Sequence, residues 1–141
     1  MPSSYIATMP DGLIPVFPAA DEVQRILARA GTVATFESEE HFELSTVGAC
    51  LSGWMYHFMD SLEDWFIRQG LAQHQARLLV SGNIAGAVEQ AKASSGRSLR
   101  EISDEIATEG TYTKLGLDVL LADDAAKSWG KALDAVASKL G

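Results

Sequence analysis

The spacing of apolar positions changes once along the chain, near residue 37. Before it, Leu13 to Phe17 (LIPVF) is a short apolar run closed by Pro18, which predicts a buried strand. Pro15 within the run predicts an edge or an end, because proline brings no ladder N–H. Asp21 to Ala30 (DEVQRILARA) places Val23, Ile26 and Leu27 on one helical face and is predicted to stop at Gly31, a common C-terminal cap. Thr32 to Phe36 (TVATF) reads as a second strand. Strand, helix and strand so close together make a minimal βαβ unit with parallel strands, and two strands alone make a poor sheet.

After Glu37 only helical spacing remains. Glu39 to Cys50 leads into GWMYHFMDSLEDWFIRQG, where Trp54, Phe58, Leu62, Trp65 and Phe66 recur three and four apart until Gly70. A second long helix is predicted from Ala72 to Gly96, with Ala76, Leu79, Val80, Ile84, Ala87, Val88 and Ala91 at helical spacing. Gly82 and Gly86 share one of its faces; glycine weakens a helix interior, so the pair suggests close approach of another backbone or of a ligand. Ser98 and Glu101 have the spacing of a capping box ahead of LREISDEIA. After the elbow ATEGTYTK (Ala107 to Lys114), TKLGLDVLLAD and DAAKSWGKALDAVASKLG complete a mainly α chain, with Ala126, Trp129, Leu133, Val136, Ala137 and Leu140 in one stripe.

Composition narrows the function classes. A chain of 141 residues is expected to bury about 70% of its unfolded surface in a self-standing core. A net charge of -8 argues against a nucleic-acid surface. No apolar run is long enough to span a membrane, and MPSSYIATMP lacks the basic start and apolar middle of a signal peptide. With Cys50 as the single cysteine, a cytoplasmic location is expected.

Chemistry-bearing motifs are sparse: there is no Gly-x-Gly-x-x-Gly, Walker loop, His-Glu-x-x-His, Gly-x-Ser-x-Gly or Cys-x-x-Cys. His41, His57 and His74 stand far apart, so no metal is assigned. Cys50 reads as a small packed residue, and Glu63 with Asp64 as a solvated face. The elbow is the best chemical candidate. Thr111 and Thr113 fall at a helix start, where free N–H groups favour a carboxylate or phosphate, and Gly110 would let a ligand approach. Equally, Thr108 or Thr111 caps the helix and Gly110 supplies a positive-φ turn.

Two short motifs and the order of elements resemble the C-terminal part of pyrroline-5-carboxylate reductases and their close homologues, NAD(P)-dependent enzymes that make proline. The family's Ser-Gly-Ser-Gly-Pro-Ala-Tyr helix start corresponds to Leu51-Ser52-Gly53-Trp54-Met55-Tyr56, which keeps Ser52, Gly53 and Tyr56 and has Trp54 for the proline. Its Thr-Ser-Pro-Gly-Gly-Thr-Thr loop corresponds to the elbow, which keeps Gly110 and Thr113 and has Glu109 for the proline and Thr111 for the second glycine. Met1-Pro2-Ser3 aligns with a Met-Pro-Asn motif upstream, Ser3 replacing the asparagine.

The resemblance implies a mainly α fold: a helical dimerisation and substrate-binding domain at residues 38–141, preceded at 1–37 by a βαβ remnant of a Rossmann-type nucleotide-binding domain. In the complete enzymes a hydride passes from the nicotinamide to the imine carbon of pyrroline-5-carboxylate. The helical domains interlock as a homodimer, and the threonine loop holds the carboxylate of the small cyclic substrate near the interface. Carried over, Gly110 and Thr113 would contact that carboxylate, Thr111 would do so through its backbone, and Ser52 and Gly53 would shape the same region. Tyr56, Gly82 and Gly86 would lie at the dimer interface; no catalytic side chain is nominated. The glycine-rich cofactor loop is missing, so this chain alone is expected to hold no NAD(P) tightly and to be inactive. A carboxylate at Glu109 would repel an acidic ligand unless it points away, which with Thr111 and Trp54 leaves the substrate open. The alternative is a non-catalytic helical interaction module using the Gly82/Gly86 face and the Trp-rich helix; a complete small enzyme with an unfamiliar site is a third reading.

Overall fold

The computed structural model describes residues 12–140, so the Met1-Pro2-Ser3 correspondence lies outside the described residues. The order is β1 (Leu13–Val16), α1 (Asp21–Leu27), β2 (Thr32–Thr35), α2 (Glu39–Arg68), α3 (Gln73–Ala93), α4 (Leu99–Ile106), α5 (Tyr112–Ala122) and α6 (Ala125–Ala137). The fold is therefore mainly helical behind a short βαβ start, as expected. Two compact units divide it, Met1–Met55 with Leu133–Gly141, and Tyr56–Ala132.

In the first unit β1 and β2 pair in parallel, Leu13 opposite Thr32 and Val16 opposite Thr35. Thr32 N–H donates to the Gly12 carbonyl at 3.0 Å and Phe36 N–H to the Val16 carbonyl at 3.1 Å. Because backbone groups alternate sides along a strand, Pro15 then turns its nitrogen away from β2 and its missing donor costs the ladder nothing. Gly31 differs from its expected role: α1 ends earlier, with Ala28 as its right-handed C-cap. What Gly31 permits is close approach, since a β-carbon there would lie 2.2 Å from the Gly12 carbonyl oxygen. Phe42, near the start of α2, packs its ring 6.1 Å from Phe17 and, edge-on, 6.3 Å from Phe36, fixing that helix end to both strand ends. Ser38 Oγ accepts from His41 N–H at 3.2 Å and caps α2.

In the second unit α2 terminates in a Schellman arrangement: Gly70 N–H donates to Ile67 at 2.9 Å, Leu71 N–H to Phe66 at 3.2 Å, and Gly70 sits at φ 96. The chain then turns into α3, and Arg77 reaches back to clamp Glu63 of α2 in a bidentate pair, Nη2 donating to Oε1 at 3.1 Å and Nε to Oε2. Phe58 and Trp129 meet edge-on at 6.1 Å.

The core is thin. Among the apolar residues of this second unit only Ala76, Val80 and Ala107 are buried, while Leu78 and Leu99 are each 69% exposed and Leu115 is 66% exposed. The helical stripes read from the sequence exist, but within one chain they are only partly covered.

Candidate functional site

The elbow is assembled from a well-capped helix, a tight turn and a second capped helix. At the start of α4, Glu101 N–H donates to Ser98 Oγ at 3.2 Å and Ser98 N–H to Glu101 Oε2 at 2.7 Å, the reciprocal bonds of a capping box. The bond from Ser98 N–H foremost, and a second donated by Ser98 Oγ at 2.9 Å, hold the Glu101 carboxyl below its ordinary pKa. Past α4 the chain buries Ala107 and turns: Thr111 N–H donates to the Thr108 carbonyl at 3.1 Å with Gly110 at φ 81. A positive φ at the third residue is the signature of a type II turn, and glycine adopts it without side-chain conflict.

Thr111 is the N-cap of α5. Its Oγ1 accepts from Lys114 N–H at 3.1 Å and donates to the Thr108 carbonyl at 2.8 Å, and its own carbonyl accepts Leu115 N–H at 3.1 Å. The capping reading of Thr111 therefore holds, and its hydroxyl is committed. Of the four N–H groups a helix start leaves without intrahelical partners, those of Thr111 and Lys114 are used, which leaves Tyr112 and Thr113 open. Thr113 is exposed and Tyr112 is 94% exposed.

Beside these groups lies an open hollow of about 290 Å³, lined by residues 109–112 with Lys114, Leu115 and Asp118; Thr113 is not part of its wall. Lys114 is half-buried and its Nζ bonds Asp118 one turn on. That bond raises the Lys114 ammonium above its ordinary pKa against partial desolvation, with Glu109 and Asp104 adding to the field. The lining thus carries Glu109 and Asp118 against one engaged lysine.

The structure brings Gly110, Thr111 and Thr113 together on this elbow. Ser52 and Gly53 lie in the first unit on α2, where Ser52 Oγ donates to the Ala49 carbonyl at 3.0 Å, and Tyr56 is exposed at the start of the second unit. Gly82 and Gly86 are exposed on α3, and a β-carbon on either meets nothing within 4 Å. The close approach inferred for them is therefore not made by this chain's described residues. Cys50 is half-buried, with Sγ 3.5 Å from the Thr46 carbonyl. Among the described residues no group of three His, Cys, Asp or Glu side chains could hold a metal, and no helix is long and apolar enough to cross a membrane.

Glu63 corrects the solvated-face expectation. It is 5% exposed, and Arg77, first by its hydrogen bond and then by its charge, lowers the Glu63 pKa against the opposing effect of burial. The signal available was symmetry: residues 63 and 77 stand equally far from the turn at Gly70, so a helical hairpin brings them across from one another.

Residues 39–140 match the family model described as pyrroline-5-carboxylate reductase dimerisation. Solved structures with a similar fold include the Plasmodium falciparum pyrroline carboxylate reductase with NADP bound, 23% identical with a TM-score of 0.83, the match covering 99% of this chain and 59% of that one. A pyrroline-5-carboxylate reductase from Coxiella burnetii is 22% identical with a TM-score of 0.81, over 99% of this chain and 54% of that one. The 1-pyrroline-5-carboxylate reductase of Streptococcus pyogenes is 21% identical with a TM-score of 0.83, over 99% and 56%. The chain spans a little over half the length of these structures, and at such identities the likeness is one of fold. No curated protein sequence matches it.

Proposed function

Because the chain belongs to the pyrroline-5-carboxylate reductase dimerisation family, we propose that it is the dimerising and substrate-binding part of an NAD(P)-dependent reductase that converts 1-pyrroline-5-carboxylate to proline. On this reading residues 38–141 form the homodimer and residues 1–37 are the end of the nucleotide-binding domain. The observation that carries it is the uncovered apolar surface: Leu78, Leu79 and Val88 on α3 and Leu115, Val119, Leu120 and Leu121 on α5 are all exposed in one chain. Side chains of this kind left in water on neighbouring turns are what an interface between subunits covers. Tyr56, Gly82 and Gly86 belong to that interface, the two glycines admitting a partner backbone.

The elbow holds the substrate carboxylate on the open N–H groups of Tyr112 and Thr113, where the positive end of the α5 dipole favours an anion. Gly110 leaves the approach clear and the Thr113 hydroxyl adds a donor. Thr111 contributes through the cap that fixes this geometry, and Ser52 and Gly53 are the further substrate-binding residues of the proposal.

The strand-to-helix turn among the described residues lacks the features of a cofactor-binding loop. The turn between β1 and α1 reads Phe17-Pro18-Ala19-Ala20, with no glycine to admit a pyrophosphate and no capping side chain at Ala20. NAD(P) in the complete enzyme would bind outside these residues. A cytoplasmic setting and partners that exclude nucleic acid and membrane complete the proposal, in keeping with the net charge of -8.

Tyr112→Pro tests the elbow. Proline is tolerated at the first helical position, and Thr111 already has the extended backbone, φ -88 and ψ 152, that a following proline requires. The variant should fold, and it should bind L-proline about tenfold more weakly than Tyr112→Ala, the loss expected for one N–H bond to a charged group. Equal affinities for the two variants would remove the elbow from the site. The second reading, a non-catalytic interaction module, is favoured by the commitment of the Thr111 hydroxyl to its cap; wild-type chain that dimerises yet binds no cyclic carboxylate would establish it.

A further inference from the structure

Glu63 is the one buried charged residue among those described, and its side chain is 6% exposed against 62% for its partner Arg77. Taking a carboxylate out of water costs so much that such a pair gains little over two apolar side chains of similar size. What an ion pair of this geometry supplies instead is direction. The planar Arg77 fork meets both carboxylate oxygens, Nη2 donating to Oε1 at 3.1 Å and Nε to Oε2, so it ties α3 to α2 in one orientation. The buried apolar residues of α3 are Ala76 and Val80, whose short side chains form shallow ridges and specify the rotation of the helix about its own axis only weakly. At 3.6 residues per turn, Gly82 and Gly86 lie about 140° and about 180° round the helix from Arg77. A helix held through Arg77 therefore aims its glycine face away from α2, and that face is open, since a β-carbon on either glycine meets nothing within 4 Å.

We propose that the pair of Glu63 and Arg77 is an orientation lock, which sets the rotation of α3 on α2 and so aims the Gly82/Gly86 face at a second copy of the chain. The proposal rests on the homodimer reading above and adds to it the device that holds this face ready before association. Freezing the rotation in the unassembled chain removes an ordering cost that the dimer would otherwise bear.

The test compares the wild-type full chain with two variants: Glu63→Leu/Arg77→Met, which replaces the pair by apolar side chains, and Arg77→Lys, which keeps the charge and loses the fork. Nitroxides on Ser61→Cys and Asn83→Cys, both exposed positions, in a Cys50→Ser background report the distance distribution between α2 and α3 by pulsed electron resonance, with labelled chain diluted into unlabelled chain. Both variants should keep the wild-type helix content by circular dichroism and show a broader distribution. In sedimentation both should dissociate at about tenfold higher concentration, the loss expected when one freedom of orientation is frozen on association. A distribution as narrow as the wild-type one in either variant overturns the lock and leaves the homodimer standing. A broader distribution with unchanged dissociation also overturns it, because the rotation of α3 would then not matter to assembly. Loss of helix in both variants overturns it as well, for the pair would then only hold the fold together. A wild-type chain that stays monomeric overturns both the inference and the homodimer reading beneath it.

Discussion

Replacing Gly110 with alanine isolates what the backbone contributes at the elbow. The residue sits at φ 81, and an added β-carbon would meet nothing within 4 Å, so no steric collision enters the cost. What remains is the penalty of holding an L-residue in the left-handed region, about 1–2 kcal/mol. Thr111→Ala removes a different contribution, the cap bond to Lys114 N–H, worth about 1 kcal/mol. The two residues share one turn, so their effects should couple: once the turn is strained, the cap is already weakened, and the double variant should lose less than the sum. Urea unfolding followed by circular dichroism at fixed protein concentration reads these losses as midpoint shifts at constant slope. A Gly110→Ala cost below about 0.3 kcal/mol would show that residue 110 need not be left-handed, and one above about 3 kcal/mol would show a packing role the open space denies. Gly110→Asn, which tolerates this region better, should cost less than alanine.

Two further outcomes follow from local geometry. Gly31→Ala would place its β-carbon 2.2 Å from the Gly12 carbonyl oxygen, the acceptor of Thr32 N–H, so the variant should lose more than about 2 kcal/mol; hydrogen exchange should report accelerated exchange at Thr32, and an unchanged rate there would contradict the pairing. The acid limb of stability should carry Glu63 and Glu101: both have folded-state pKa values below the ordinary 4.5, so each stabilises the fold above that value and loses its contribution as pH falls through the lowered one. Urea midpoints measured down to about pH 3 should therefore fall more steeply for the wild-type chain than for Glu63→Gln or Glu101→Gln.

Much of the local structure could be read from residue pattern. Ser98 with Glu101, Thr111 as a cap and Gly70 as a stop are local devices whose hydrogen bonds close within a few residues, so spacing alone exposes them. Gly31 shows the limit of such reading: a glycine after a helix suggests a cap, but its cause is the carbonyl of Gly12, across the sheet. Glu63 shows the same limit for charge, because its partner Arg77 lies on the next helix. The apolar stripes were visible as stripes, but periodicity gives a face without naming what covers it. Val88, Leu115 and Val119 fit helical spacing whether they meet their own chain or a second copy, and in one chain they are exposed. At the elbow, Gly110 and the cap were legible; the hollow and the engagement of Lys114 by Asp118 needed coordinates.

In the proposed homodimer these exposed faces are covered by a second copy of the chain. Light scattering coupled to size exclusion at micromolar concentration, with melting curves recorded over a hundredfold concentration range, tests it most directly. The expected result is a species of twice 15.1 kDa whose melting temperature rises with concentration, because folding and association are linked. A 15.1 kDa species with a cooperative melting transition independent of concentration would contradict it.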